Sequence, residues 1–284
     1  MTTVAYQGEP GAFGEEAVVG WFGEGGTPVP VPTFSAVTAA VESGAAEAGV
    51  LPLENSLAGT VGDALDALAV GSLRVVGEVL IPIRHQLLVL PGANIEAVQR
   101  VSSHWQALAQ CERFLEGRAW QVVAAADTAG AARELAASGD RSSAAVASRA
   151  AAERYGLEVA AADIQDADHN VTRFAVLVSG TAAAPVPRGA LAPSGGDRET
   201  LLTFETGHRP GDLYRALGAF ADAGINLSRI ESRPSGDGPW RYRFLVQVAG
   251  DADAEPLRGA VAAMRPHTSS LRVLGSFDVD SGDH

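Results

Sequence analysis

The sequence predicts an α/β fold with two domains, the second of them a ferredoxin-like unit. Three observations predict it. Short apolar, β-branched runs alternate with helix-periodic stretches across residues 1–180, which is typical of βαβ units and a mainly parallel sheet. Residues 181–198 are rich in Ala, Pro, Gly and Ser and lack periodicity, as interdomain linkers do. Residues 199–278 give the order βαββαβ, and residues 279–284 form a tail.

The N-terminal elements follow from local patterns of apolar residues, caps and breakers. We predict strands at 3–7, 47–53, 74–81, 85–90, 121–126, 144–147, 159–164 and 174–178, with a further short strand beginning at 101. We predict helices at 15–22, 35–42, 105–115, 128–137 and 149–155, and a helix start near residue 60. The two strands around Pro82 have no helix between them, so we expect two sheet lobes with a cleft.

The C-terminal elements are marked by proline and glycine. The helix at 210–223 has Pro210 near its first turn and Gly224 past its end, the usual asymmetry of helix ends. We predict strands at 200–206, 225–233, 240–248 and 271–278, and a second helix at 253–264.

Bulk composition excludes several classes of function. The 284 residues carry a formal charge of −13, so nucleic acid and anionic membranes are poor partners. No apolar run is long enough to span a membrane, and the first residues lack a signal-peptide pattern, so we expect a cytoplasmic protein. The single cysteine, Cys111, excludes an internal disulfide and a cysteine-cluster metal site. All 21 basic residues are arginine, which removes lysine-based Schiff-base and phosphate-loop chemistry.

Glycines at the first strand-to-helix turn run G-x-x-G-x-x-G over residues 8–14. The dinucleotide fingerprint G-x-G-x-x-G is missed at its first spacing, so we predict no Rossmann cofactor site. The turn still exposes backbone N–H groups that suit an anion, although a plain tight turn explains the glycines equally well.

Polar residues next to strand ends are the candidates for chemistry. Thr172 and Arg173 open an apolar strand, and a guanidinium can hold a carboxylate with two parallel hydrogen bonds. Glu54-Asn55-Ser56 closes another strand, and residues 103–110 place one serine, one histidine and two side-chain amides around a helix start. Each motif alone also fits an ordinary polar loop or a solvated strand edge.

Taken together, the motifs resemble those of monofunctional prephenate dehydratases with a C-terminal ACT domain. The motifs are residues 8–17, Gly49 to Ser56, Ser103 to Cys111, Asn170 to Phe174, His208 to Leu213 and Glu231 to Pro234, in family order over nearly the whole chain. The resemblance implies a periplasmic-binding-protein-like catalytic domain with its site in the cleft. It also implies conversion of prephenate to phenylpyruvate without a metal or organic cofactor.

The resemblance implies roles for individual residues. Thr172 would assist departure of the ring hydroxyl, and Arg173 would orient a substrate carboxylate. Further substrate contacts would come from Ala12, Phe13, Asn55, Ser56, Ser103, Gln106, Gln110 and Phe174. Phenylalanine would bind the ACT domain as a feedback effector through Gly211, Asp212, Leu213, Asn226, Leu227, Glu231, Ser232 and Arg233. A homodimer through the ACT sheets is expected, and a homotetramer is possible.

Three departures from the family pattern leave alternatives open. Trp105 replaces a usual proline and Gly14 a usual serine or threonine, so either could reshape the pocket. Asp212 replaces a small residue, and its carboxylate is expected to weaken phenylalanine binding by repulsion. The alternatives are an arogenate dehydratase, a decarboxylase that does not form an aromatic ring, and a non-catalytic small-molecule sensor.

Overall fold

Two α/β lobes and a four-stranded C-terminal sheet make up the protein, which is seen in a computed structural model. The structure describes residues 1–180, 182, 189–193, 196–207, 209–236 and 238–279. Half of the predicted linker at 181–198, and all of the predicted tail at 279–284 except residue 279, therefore lie outside the described residues.

The strands are β1 (Thr2–Gln7), β2 (Gly26–Val31), β3 (Ala48–Asn55), β4 (Gly59–Thr60), β5 (Leu73–Pro82), β6 (Gln86–Val89), β7 (Arg100–His104), β8 (Gln121–Ala125), β9 (Ser143–Ala147), β10 (Glu158–Ala161), β11 (Val171–Ser179), β12 (Arg198–Thr206), β13 (Leu227–Pro234), β14 (Tyr242–Ala249) and β15 (Thr268–Asp278). The helices are α1 (Phe13–Phe22), α2 (Phe34–Glu42), α3 (Gly62–Ala69), α4 (Trp105–Ala109), α5 (Glu112–Leu115), α6 (Thr128–Ser138), α7 (Arg149–Tyr155), α8 (Asp212–Asp222) and α9 (Leu257–Met264).

The predicted pair of lobes is confirmed. Lobe 1 holds a sheet in the order β2-β1-β3-β11-β5, with β4 paired to β3, and lobe 2 holds the order β10-β6-β9-β7-β8. The chain leaves lobe 1 after β5 and returns to it as β11, between β3 and β5. The two crossing segments, residues 83–85 and 162–170, form the hinge between the lobes.

The prediction of a mainly parallel sheet is wrong, because both sheets are mixed. The pairs β1/β2, β1/β3, β7/β8 and β7/β9 are parallel. Strands β6, β10 and β11 carry the chain across the hinge and pair antiparallel with their neighbours. A strand that returns without a βαβ crossover is free to run in the opposite direction.

Two local predictions also differ from the structure. Strand β2 was missed because its sequence contains Pro28 and Pro30; it forms the sheet edge, where proline does not remove a needed hydrogen bond. The predicted helix at 105–115 is divided into α4 and α5 at Cys111, whose φ of −118° and ψ of 22° lie outside the helical range.

The ferredoxin-like C-terminal unit is confirmed. Its antiparallel sheet has the order β13-β14-β12-β15. One face packs against α8 and α9 through a core that includes Phe204, Phe220, Val246 and Met264.

The other face of this sheet packs against lobe 1. Leu201, Leu245 and Phe277 belong to the same buried apolar cluster as Leu51 and Leu65 of lobe 1. Burial of such side chains on both sides makes the two units share one core.

Gly275 of β15 lies close to the backbone of lobe 1. A Cβ atom at this position would overlap the carbonyl oxygen of Val75 in β5. Only glycine therefore allows β15 to lie this close to lobe 1.

Among the helices that the structure describes, none has the length and apolar character needed to cross a membrane.

Candidate active site

A cavity of about 1170 Å³ lies between the two lobes. It is lined by seven of the residues that the sequence predicts to contact substrate or act in catalysis: Ala12, Phe13, Asn55, Gln106, Gln110, Thr172 and Phe174. Lobe 1 supplies five of them and lobe 2 supplies the two glutamines of the α4 region. Side chains from different parts of the chain therefore converge on one cleft.

Strand register places Thr172 beside Asn55. The two residues are direct partners across the antiparallel pair β11/β3. Asn55 Nδ2 donates to Thr172 Oγ1 over 3.0 Å, and both side chains are buried. Because this bond uses an oxygen lone pair of Thr172, the proton of its hydroxyl remains available to a second acceptor.

Three side-chain amides form a closed ring of hydrogen bonds next to Thr172. Asn55 Nδ2 donates to Asn170 Oδ1 (2.7 Å), and Asn170 Nδ2 donates to Gln110 Oε1 (2.9 Å). Gln110 Nε2 donates back to Asn55 Oδ1 (3.3 Å). The ring links lobe 1, the hinge and lobe 2, because its members lie on β3, in the second crossing segment and at the end of α4.

His85 supports this ring from the first crossing segment. Its Nε2 lies 3.0 Å from Gln110 Oε1, and its backbone N–H donates to Gln165 Oε1. The side chain is buried, lies edge-on to Phe13 and lines the cavity. Burial lowers the pKa of His85, so the imidazole is neutral at physiological pH.

Arg173 does not lie where the sequence predicts. Successive residues of a strand point to opposite faces, so Arg173 faces away from the cleft that Thr172 and Phe174 line. Its Nη1 lies 3.5 Å from Oε2 of the buried Glu78, near Arg229 of the C-terminal sheet. In this structure Arg173 is thus part of the interface between lobe 1 and the C-terminal unit.

Ser56 and Ser103 also lie outside the cavity lining. Ser56 Oγ donates to the His169 carbonyl (2.7 Å) and accepts from the Val171 N–H (3.0 Å), which ties the loop after β3 to the start of β11. Ser103 is fully buried and its Oγ donates to the Val146 carbonyl, between β7 and β9. Both hydroxyls are therefore used by the backbone, not by the cleft.

The cavity holds little positive charge. Among the described lining residues, Arg233 is the only arginine, and it is paired to Asp66 through Nη2–Oδ2 and Nε–Oδ1 contacts of 2.6 and 3.0 Å. The first residues of α1, α2 and α3 line the cavity, so helix N-termini add backbone donors to those of the neutral side-chain amides.

The two unusual residues of the N-terminal domain both line this cavity. Trp105 is 62% exposed and lies beside His104, with ring centroids 5.7 Å apart. At Gly14, an added Cβ would lie 3.2 Å from the Tyr6 ring. Glycine thus relieves crowding against that ring, while tryptophan extends one wall of the cleft.

The predicted effector residues of β13 are divided between two faces. Glu231 and Arg233 face lobe 1: Glu231 accepts a hydrogen bond from Thr60, and Arg233 binds Asp66. Ser232 pairs with Phe244 on the helix-covered face. In this strand conformation, the three side chains therefore cannot line the same pocket.

Gly211, Asp212 and Leu213 lie where α8 begins, whereas Asn226 and Leu227 lie after this helix, where β13 begins. Gly211 has a φ of 83°, which suits glycine, and Asp212 is buried at the first helical position. The Asp212 carboxylate accepts from Arg215 Nη2 (2.7 Å) and from the Arg209 N–H (3.1 Å). The hydrogen bond from Arg215 lowers the pKa of Asp212, so this carboxylate stays ionised and paired.

His85 and Asn170 were not predicted as site residues. Asn170 lies two positions before Thr172, so strand alternation was a usable signal that both share a side. For His85 the local sequence offers no comparable signal, because its position depends on the crossing of two distant segments.

Comparisons with known proteins identify relatives of this chain. The family model for prephenate dehydratase matches residues 4–181, and the model for the ACT domain matches residues 200–265. "Arogenate dehydratase 1" of Petunia hybrida is 41% identical over 98% of this chain and 67% of its own length. A bifunctional chorismate mutase/prephenate dehydratase of Aquifex aeolicus is 38% identical over 96% of this chain and 73% of its own length.

A solved structure shows the same similarity in three dimensions. Prephenate dehydratase from Arthrobacter aurescens, in complex with L-Phe, superimposes with a TM-score of 0.87 at 32% identity. The match covers 98% of this chain and 90% of that protein. The chain therefore belongs to the prephenate dehydratase family, a family of lyases, and carries an ACT domain after the catalytic domain.

Proposed function

We propose that this chain converts prephenate to phenylpyruvate by decarboxylative dehydration, with Thr172 as the hydrogen-bond or proton donor to the departing hydroxyl. The observation that carries the proposal is the position of Thr172 in the cleft, with its oxygen occupied by Asn55 and its proton unused by that bond.

The chemistry needs an acid more than it needs a base. The carbon–carbon bond to the ring carboxylate breaks, its electrons enter the ring, and the hydroxyl leaves from the opposite carbon. Aromatisation supplies the driving force, while hydroxide is a poor leaving group. A donor at that oxygen lowers the barrier as the oxygen–carbon bond breaks, and solvent water returns a proton to Thr172 if it is transferred.

Two substrate carboxylates must be held with few cations. Gln106 and Gln110 line the cavity, and each amide offers N–H donors. The starts of α1 and α2 add backbone donors, which favour anions. The side-chain carboxylate of prephenate remains in the product, whereas the ring carboxylate leaves as carbon dioxide. Neutral donors would bind the first without the strong stabilisation of the second that a cation would give.

The remaining predicted contacts fit supporting roles. Phe13 and Phe174 would pack against the ring of the substrate, and Ala12 leaves room for it. Ser56 would fix the loop that follows Asn55 to β11, and Ser103 would fix β7, the strand that leads into the helix of Gln106. Arg173 would act as a positioning residue, because it anchors β11 through Glu78 directly behind Thr172.

Phenylalanine is the proposed effector. The relative from Arthrobacter aurescens was solved with L-Phe, and residues 200–265 of this chain match the ACT domain model. The proposed pocket is formed by Gly211, Asp212 and Leu213 with Asn226, Leu227 and Ser232, at the interface of two subunits in a homodimer or homotetramer. Glu231 and Arg233 would transmit binding to lobe 1 through Thr60 and Asp66.

Product analysis tests the reaction. Purified protein is mixed with prephenate, and the products are separated and identified. Phenylpyruvate supports the proposal; a decarboxylated product that keeps its hydroxyl indicates the non-aromatising decarboxylase, and no product at all indicates a sensor. A parallel reaction with arogenate compares kcat/KM for the two substrates, which differ only in a ketone or an amine.

A further inference from the structure

The direction of every hydrogen bond in the amide ring is fixed by the backbone. Asn55 Oδ1 accepts from the N–H groups of Leu57 (3.1 Å) and Ala58 (2.9 Å), which can only donate. The Asn55 NH₂ group must therefore point the other way, toward Asn170, Val171 and Thr172. Thr172 Oγ1 is thus an acceptor in this pair.

The same logic continues around the ring. Because Asn170 Oδ1 accepts from Asn55, its own NH₂ group faces Gln110 Oε1. Gln110 Oε1 can only accept, so the contact at 3.0 Å requires a proton on His85 Nε2. A neutral His85 in this tautomer is a donor on the Gln110 side.

We propose that His85 and Asn170 are positioning residues. Asn170 binds the Asn55 NH₂ group directly, and His85 acts through Gln110, which binds both Asn170 and Asn55. These contacts hold the Asn55 NH₂ group against Thr172 Oγ1, so that the Thr172 proton is directed into the cleft. His85 and Asn170 touch neither the reacting hydroxyl nor its carbon, and they act by keeping one hydrogen-bond direction through four side chains. The inference rests on the proposed function for its kinetic consequence but not for the hydrogen-bond directions themselves.

Burial supports this assignment. Asn170 is 1% exposed and His85 is 2% exposed, so water cannot readily replace a lost partner. The ring also spans both lobes and the hinge, so the bond from Gln110 of lobe 2 to Asn55 of lobe 1 closes it only while the two lobes stay within reach of each other.

The first test changes the direction of the bond to Thr172. In Asn55→Asp one carboxylate oxygen still accepts from the N–H groups of Leu57 and Ala58. The other oxygen replaces the NH₂ group, so it accepts the hydroxyl proton of Thr172 and no longer donates to Thr172 Oγ1. We expect kcat for prephenate to fall roughly 10²-fold at pH 8 and to recover, relative to wild type, as the introduced carboxyl is protonated at lower pH. A kcat ratio that stays flat from pH 5 to pH 9 would overturn the inference; a change confined to KM would indicate substrate repulsion and would also overturn it.

The second test addresses His85 directly. His85→Leu removes the donor to Gln110, whereas His85→Gln can replace it with an amide N–H. We expect roughly a tenfold loss of kcat in His85→Leu, KM within about threefold of wild type, and recovery of most of the loss in His85→Gln. Equal kcat in the two variants, or loss that follows Tm alone, would contradict a positioning role.

The third measurement is independent of activity. In substrate-free protein labelled with ¹⁵N-histidine, long-range ¹H–¹⁵N correlations report the tautomer of each imidazole, and His85→Gln assigns the signal. We expect His85 to be neutral with its proton on Nε2 at pH 7. A proton on Nδ1 would refute the hydrogen-bond direction even if phenylpyruvate forms, whereas absence of product with the expected tautomer would refute only the proposed function.

Discussion

Thr172 and Arg173 are adjacent in the chain but serve opposite faces of β11. Thr172 Oγ1 lies 3.0 Å from Asn55 Nδ2 in the cleft, and Arg173 Nη1 lies 3.5 Å from Glu78 Oε2 at the interface with the C-terminal sheet. One strand thus carries the proposed donor on one side and, on the other, an ion pair to β5 that faces the C-terminal sheet.

Removal of the Thr172 hydroxyl should abolish most of the catalysis. We expect Thr172→Ala to lose roughly 10²-fold or more in kcat, because hydroxide then leaves without a donor. Thr172→Ser keeps the hydroxyl and is expected to stay within about tenfold of wild type, with thermal unfolding as the control for folding. Steady-state kinetics of phenylpyruvate formation measures both, and equal losses in the two variants would argue against the donor role.

Substitution of Arg173 should act on stability more than on substrate binding. Arg173→Gln leaves the buried carboxyl of Glu78 without its cation, which we expect to lower the free energy of unfolding by about 1–3 kcal/mol. KM for prephenate should stay within about threefold, because the guanidinium lies outside the cavity lining. Chemical denaturation and kinetics of the same preparation decide the matter; a KM raised 100-fold in a stable variant would place Arg173 in contact with substrate.

Glu78 should make stability depend on pH near neutrality. Burial raises the pKa of Glu78 to about 7, although Arg173 opposes the shift. The folded protein therefore holds a proton that the unfolded chain releases between the ordinary glutamate pKa and about 7, and stability falls as pH rises through this window.

The isosteric variant Glu78→Gln removes this titration. We expect its Tm to exceed that of wild type by a few degrees, roughly 2–4 °C per kcal/mol, at pH 8, with a smaller difference at pH 5. Glu16, whose pKa burial also raises to about 7, remains in both proteins and cancels in the comparison. Thermal unfolding from pH 5 to pH 8 measures the Tm of both proteins. A Tm difference that grows as the pH falls would contradict the prediction.

Asp212 should set the strength of phenylalanine inhibition. Its carboxylate lies in the loop proposed to receive the effector carboxylate, so Asp212→Ala is expected to lower the phenylalanine concentration for half inhibition. The change should stay within about tenfold, because Arg215 already pairs with the carboxylate. Inhibition curves with and without Arg215→Gln provide the control, and unchanged curves in Asp212→Ala would place the effector elsewhere.

Local patterns were sufficient to predict the two lobes and the C-terminal βαββαβ unit. Apolar periodicity and the paired strands around Pro82 do not depend on distant contacts, and both predictions are confirmed. The edge strand with Pro28 and Pro30 was missed, because its stability comes from pairing to β1 and not from its own composition.

Prediction of the site was limited by side-chain direction. Thr172 and Asn55 line the cleft as the sequence suggested, but Arg173 was grouped with Thr172 although neighbouring strand residues face opposite sides. Strand alternation could have placed Asn170 beside Thr172, but His85 could not be placed without the hinge, since its contacts are with Gln110 and Gln165, 25 and 80 positions away. The order of residues along a strand was therefore informative, while contacts across the hinge were not available to local reasoning.

The apolar layer shared by the C-terminal sheet and lobe 1 has a consequence for attempts to study the catalytic part in isolation. A protein truncated before β12 would expose the apolar surface around Leu51 and Leu65 to solvent. It would also lack β15, the strand whose Gly275 packs against Val75. Such a fragment would tend to self-associate, so loss of activity on truncation could arise from aggregation instead of from a missing regulatory signal.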